Sequence, residues 1–190
     1  METAEVRAME VLKRCPEGPL IGAEIGVAIG QMSEALLTLR KNLILHMVDP
    51  WKGESEQNDI YRASGDGHAH MSSAEQQAHY ETAVKVTQFA ENRRTVHRLD
   101  SLQAADLIEN ASLDFAVLDG DHTYEACAAD MDAWSAKVKP GGLLCGHDYY
   151  NNPPSEDTWA TGVKKAVDEA VFLMGWKLEL RENYTRFVRL

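Results

Sequence analysis

Apolar and polar positions along the chain follow two rhythms: short β-like runs, and longer stretches with apolar residues three or four apart. Residues 3–14 place Val6, Met9 and Leu12 on one face of an expected N-terminal helix, which Pro16, Gly18 and Pro19 stop. Leu20–Ile25 reads as a buried strand running into the glycine turn Gly26-Val27-Ala28-Ile29-Gly30, after which Met32, Leu36 and Leu39 recur at helical spacing. Leu43–Val48 is a second strand, closed by Asp49-Pro50. Thr95–Leu99, Leu113–Leu118 and Leu143–Gly146 are three more. Between them lie a helix through Leu102, Ala105 and Ile108 and another through Cys127, Met131, Trp134 and Val138, the latter ended by Pro140-Gly141-Gly142. A helix over 161–174 and two β runs, Trp176–Leu180 and Arg186–Leu190, joined by a polar turn, complete the pattern as an antiparallel hairpin.

Residues 51–72 break this rhythm with Gly53, Gly65, Gly67 and several Ser and Asp, and read as a mobile loop. Ser73 to Glu91 reads as a helix with Ala74, Ala78 and Val84 as its apolar stripe. A loop of this length in a compact domain points to a lid, here an insertion over 52–85.

Alternating β and α elements predict parallel strands with right-handed crossovers and helices on both faces. The expected fold is α/β: a doubly wound, Rossmann-like, seven-stranded and mostly parallel sheet with a C-terminal antiparallel hairpin. At 190 residues the chain has room for a single domain, 1–190. Thirty acidic against nineteen basic residues give a net charge of −11, which disfavours nucleic acid and anionic membrane as partners. Cys15, Cys127 and Cys145 are too scattered for a disulfide framework. No apolar stretch approaches the ~18 residues of a membrane span, and the N-terminus is acidic where a signal peptide is basic. These features predict a soluble, cytoplasmic protein with a small-molecule partner. The N-terminal helix and the insertion offer surfaces for a homodimer.

Ligands of such sheets bind beyond the carboxyl ends of the strands. After strand one, Gly26 and Gly30 serve either a ligand's close approach or chain geometry alone; the spacing is not G-x-G-x-x-G. Asp49, after strand two, suits the two hydroxyls of a ribose or a turn before Pro50. Asp100 and Ser101 cap a helix or meet an adenine. Asp119-Gly120-Asp121-His122 and His147-Asp148 place carboxylates and imidazoles where packing alone does not call for them. With strands four and five adjacent, Asp119, His147 and Asp148 converge either as oxygen and imidazole ligands for Mg²⁺ or Mn²⁺ or as a metal-free polar cluster. His68, His70 and His79 read as solvated loop residues, His46 and His97 as strand residues satisfied locally, and Cys145 as core.

The run Glu24-x-Gly26-x-x-x-Gly30, Asp49-Pro50-Trp51, Leu118-Asp119-Gly120-Asp121-His122-x-Tyr124, Pro140-Gly141-Gly142 and Gly146-His147-Asp148-Tyr149 resembles the class I S-adenosylmethionine-dependent methyltransferases. Within them it is most similar to the compact macrocin and rhamnosyl type of small-molecule O-methyltransferase. The resemblance spans residues ~20 to 190. It implies that Glu24, Gly26 and Gly30 line the methionine end of S-adenosylmethionine, that Asp49 holds the ribose with Trp51 near the adenine or at the pocket rim, and that Asp100 and Ser101 meet the adenine. Asp119, with Asp121 beside it, would stand where methyl donor and acceptor meet. Asp119, His147 and Asp148 would hold a divalent metal, unless His147 is the base; His122 is the other candidate base. Asp49→Asn would then weaken cofactor binding with little loss of stability. Metal-independent N- or carboxyl methylation, a non-catalytic nucleoside-binding domain and a nicotinamide dehydrogenase are the alternatives, the last opposed by the missing G-x-G-x-x-G.

Overall fold

The computed structural model describes residues 3–149, 162–181 and 186–190. Seven strands, β1 (Leu20–Ile25), β2 (Leu43–Val48), β3 (Arg94–His97), β4 (Leu113–Leu118), β5 (Val138–Gly146), β6 (Lys177–Leu180) and β7 (Arg186–Arg189), form one sheet in the order β3-β2-β1-β4-β5-β7-β6. The first five are parallel, and β7 runs antiparallel to both β5 and β6. This is the doubly wound, mostly parallel sheet with the terminal hairpin that the sequence predicts. Residues 182–185 between β6 and β7, and Tyr150 and Asn151 after β5, lie outside the described segments.

The central strands are apolar almost throughout because both of their faces are covered. Along β4, Phe115 and Val117 enter one core, while Leu113, Ala116 and Leu118 enter the other. The first core lies against helices α1 (Ala4–Leu12) and α2 (Gln31–Leu39) and the later helix α4 (Ser73–Val86), with Leu36, Leu37 and Ala83 buried there. The second holds Met131 and Trp134 of α6 (Tyr124–Ser135) and Ala166 and Val167 of α7 (Val163–Met174). Ala104 and Ala105 of the short α5 (Ser101–Ala105) join that second core. Edge strands β3 and β6 are polar and only partly covered.

Three local expectations change. The insertion is helical where 51–72 reads as a loop: it holds two 3₁₀ turns, Glu54–Glu56 and Gly67–His70, around α3 (Asp59–Ala63). Side-chain caps explain this, since Asn58 and Asp66 each accept a backbone N–H in the turn that follows them. Helix α4 buries Gln76 and Ala83, whereas Ala74 and Ala78 face outward; small size, more than apolarity, lets the helix approach α2. Finally, Pro140-Gly141-Gly142 lies inside β5, where the pairing with β4 shifts register between Leu113 and Phe115, instead of forming a stop before it.

Candidate active site

A cavity of about 1270 Å³ opens at the carboxyl ends of β1, β2, β4 and β5. Its walls include Glu24, Gly26, Asp49, Asp100, Ser101, Asp119, Asp121, His122, His147 and Asp148, ten residues that the sequence singles out. Gly30 and Trp51 stand behind the walls. Gly30, at φ +82° before α2, packs on Ala83, where a Cβ would come within 2.8 Å of the Ala83 Cα. Buried Trp51 donates its indole N–H to the Ala28 carbonyl at 2.8 Å and meets Tyr80 edge-on.

The turn after β1 lines the cavity through Gly26, Val27, Ala28 and Ile29. Gly26 sits at φ +89°, and a Cβ there would come within 2.1 Å of the Asp119 carbonyl oxygen, so the close approach of β1 and β4 ends requires glycine. Asp49 braces the same turn. One carboxylate oxygen accepts from the Val27 and Ala28 N–H groups at 3.0 and 2.9 Å, and the other from the Trp51 N–H at 2.8 Å. Burial pushes the Asp49 carboxyl up, and these three donors oppose the rise. Glu24, 3% exposed, accepts from the Ser33 hydroxyl, and burial raises its carboxyl to about 8 against that bond.

At the far end, Lys52 holds both oxygens of Asp100 at 2.7 and 2.6 Å. Ser101 links two groups there: its hydroxyl donates to Asp130 and accepts from the Trp134 indole at 2.8 Å. Burial raises Asp130 to about 6. Asp130, a wall residue on α6, carries no motif and is invisible to a reading of strand ends.

Between these ends lies the polar cluster. His122, buried at 9% exposure, points Nε2 at Asp148 (3.1 Å) and Asp119 (3.7 Å) and Nδ1 at Asp66 (3.3 Å). Burial alone would lower its pKa, yet the bonds to Asp119, Asp148 and Asp66 outweigh that and hold it well above the usual histidine range. The same contacts keep Asp119, Asp66 and Asp148 below the usual carboxylate range despite their burial. His147 turns its Nδ1 to Asp148 at 2.9 Å and is the more open imidazole, with 23% of its side chain accessible against 11% for His122. Asp148 holds φ +62°, a conformation rare outside glycine and found at functional sites. Beneath them, buried Arg186 of β7 donates to the His147 carbonyl. Asp121 accepts from the Thr123 N–H at 2.8 Å, a helix-entry bond.

Two contributors escape sequence reasoning. Arg7 of α1 donates to Asp119 at 2.9 Å across 112 residues of sequence. Asp66, in the insertion, is 3% exposed and also accepts from the Tyr61 hydroxyl at 3.2 Å. Neither lies at a strand end. The remaining histidines behave largely as expected: His46 and His97 stack on each other, and His70 pairs with Glu54 at the surface. His68 is exposed, but it borders the cavity and leans on His79.

Asp119, His122 and Asp148 each offer a ligand atom within 4.8 Å of the other two. This is a mixed oxygen and imidazole set, chemically suited to a cation of the Mn²⁺ kind. The sequence-derived trio has His147 in the place that His122 takes here, and His147 is instead a partner of Asp148.

A sheet of this order, with its polar groups gathered past the strand ends, defines a nucleoside-binding α/β enzyme of the class I type. The chain belongs to the methyltransferase-domain family, whose model matches residues 23–149. That membership bears out the resemblance to S-adenosylmethionine-dependent methyltransferases. Solved structures share the fold. The calicheamicin methyltransferase CalS11 is 16% identical with a TM-score of 0.69, the match covering 97% of this chain and 77% of that one. A Staphylococcus aureus protein assigned as a caffeoyl-CoA O-methyltransferase is 12% identical at TM-score 0.65, covering 98% and 81%. A Methanococcus maripaludis protein assigned as an S-adenosylmethionine-dependent methyltransferase is 14% identical at 0.63, covering 98% and 84%. A search of curated protein sequences found no significant match. Among the described residues no helix is long and apolar enough to cross a membrane.

Proposed function

We propose that the protein transfers the methyl group of S-adenosylmethionine to a hydroxyl of a small molecule. The observation that carries this reading is the meeting of Asp119, His122, His147 and Asp148 in one cavity with Glu24, Gly26 and Asp49. Methyl transfer is an in-line displacement at a sulfonium carbon, so catalysis is mainly positioning, and a hydroxyl acceptor must also lose a proton. His147 is the better base. The Asp148 carboxylate accepts its Nδ1–H, which leaves Nε2 free to take the acceptor's proton. His122, surrounded by three carboxylates, already carries a proton near neutral pH and serves as their common counter-charge. The insertion supplies Asn58, Tyr61 and Asp66 to the acceptor side of the cavity and excludes water there.

Asp119, His122 and Asp148 would also fit a divalent cation, which would take the place of the His122 proton as that proton leaves to solvent. Such a cation would orient the acceptor hydroxyl and lower its pKa. Calorimetry with S-adenosylhomocysteine tests the cofactor: micromolar binding supports the reading, and no binding by the folded protein removes it. Turnover in chelator compared with turnover in added Mn²⁺ then tests the metal, and equal rates would dismiss it.

A further inference from the structure

We infer that Arg7 of the N-terminal helix is the carboxylate anchor of the cofactor, gripping the α-carboxylate of its methionyl end. This assignment rests on the methyltransferase reading above and extends it to an element outside the sheet. Three observations lead there.

Arg7 lines the cavity together with Glu24, Gly26 and Asp119. Its Nη1 is committed to the Asp119 carboxylate at 2.9 Å, while its Nε is buried with no hydrogen-bond partner among the described residues. The Asp119 contact leaves the Nη2 group unused, and 21% of the side chain stays accessible, so Arg7 can donate to a second carboxylate beside Asp119.

The other positive groups of the cavity are already held. Lys52 is chelated by both oxygens of Asp100 at the opposite end, and His122 is enclosed by Asp119, Asp148 and Asp66. An amino-acid moiety entering beside Glu24 brings an ammonium as well as a carboxylate. Glu24 meets the first, and among the described residues Arg7 is the wall cation left for the second. A carboxylate laid there unpaired, among Glu24, Asp49 and Asp119, would be strongly disfavoured.

Arg7 and Asp119 also tie cofactor and acceptor together. A guanidinium shared between Asp119 and a ligand carboxylate fixes the orientation of the carboxylate nearest the transferred methyl group. Helix α1 is thereby part of the binding site, and not only a cover over the core.

The test compares S-adenosylhomocysteine with S-adenosyl-3-thiopropylamine, which lacks only the carboxylate, by calorimetry on the full chain. The wild-type protein should bind the first about tenfold or more tightly than the second. Arg7→Gln should erase this preference while leaving the affinity for the decarboxylated compound unchanged, which also certifies that the variant is folded. Should Arg7→Gln lose both ligands, Arg7→Lys, which keeps charge and stem, decides: part of the preference should remain. A preference that survives intact in Arg7→Gln overturns the assignment. So does an unchanged preference with a raised KM for the acceptor, which would give the guanidinium to a carboxylate of the acceptor instead. Equal wild-type affinity for the two compounds refutes the Arg7 assignment alone, whereas binding of neither refutes the methyltransferase reading beneath it.

Discussion

Asp49→Asn is the substitution on which the site's architecture can be judged most directly. The change is nearly isosteric, and read from the sequence alone it removes a ribose ligand and little else. The structure gives Asp49 a second task. Its two oxygens accept three backbone N–H groups, from Val27, Ala28 and Trp51, at 2.8 to 3.0 Å. An asparagine has one acceptor oxygen, so it can keep either the Val27–Ala28 pair or the Trp51 bond, and its NH₂ then faces a backbone donor. Leaving one or two buried donors unmet costs about 1–3 kcal/mol each. Some of this returns, because burial already disfavours the charge on Asp49. The net expectation is a loss of about 2 kcal/mol, which for a domain of this size lowers Tm by about 4–8 °C. Thermal unfolding of the ligand-free protein measures the effect, and calorimetry with S-adenosylhomocysteine should show the affinity falling in parallel. An unchanged Tm with lost affinity would mean that the N–H bonds contribute nothing, and that Asp49 is a ligand only.

Glu24→Gln tests the buried carboxyl. Because Glu24 titrates near 8 when folded and near 4.5 when not, the folded chain retains a proton that the unfolded chain releases, so stability falls as pH rises between those values. The Gln variant should lack that decline, and the difference between the two curves of unfolding free energy against pH should reach a few kcal/mol at pH 8; parallel curves would count against the shift. His147→Ala should lower kcat by about 10²–10⁴ with little change in S-adenosylhomocysteine affinity, as expected for a general base. His122→Ala should lower Tm as well, because it removes the counter-charge shared by Asp119, Asp148 and Asp66; a variant that melts like wild type would refute the counter-charge role. Gly26→Ala should destabilise by more than about 1 kcal/mol, through both its positive φ and the clash with the Asp119 carbonyl, and circular dichroism melts measure it.

The fold was legible because its information is local. Apolar runs such as Leu113–Leu118 and the stripe Cys127–Met131–Trp134 name their own elements, and the alternation of elements dictates a parallel sheet. The strand-end rule then carried most of the site, since the ends of β1, β2, β4 and β5 supply Glu24, Asp49, Asp119, His147 and Asp148. What escaped depends on contacts remote in sequence. Arg7 looks like any polar residue on a surface helix until α1 folds back over Asp119, and Asp66 lies in a stretch whose glycines suggest a loop. The α4 stripe misled for a related reason. Close helix packing selects small residues, and Gln76 is buried because the His68 carbonyl accepts its amide, a bond that no apolarity scale registers.

The sheet has two ends, and the chemistry occupies only one. Strands such as β1 and β4 are six residues long, so about 20 Å of backbone separate their carboxyl ends from their starts. At the starts, the exposed turn Glu109-Asn110-Ala111 leads into β4 far from every cavity wall. A dye, a surface tether or a fused partner attached at Asn110 would therefore leave the cavity mouth open, and immobilised protein would present its working end outward to solution.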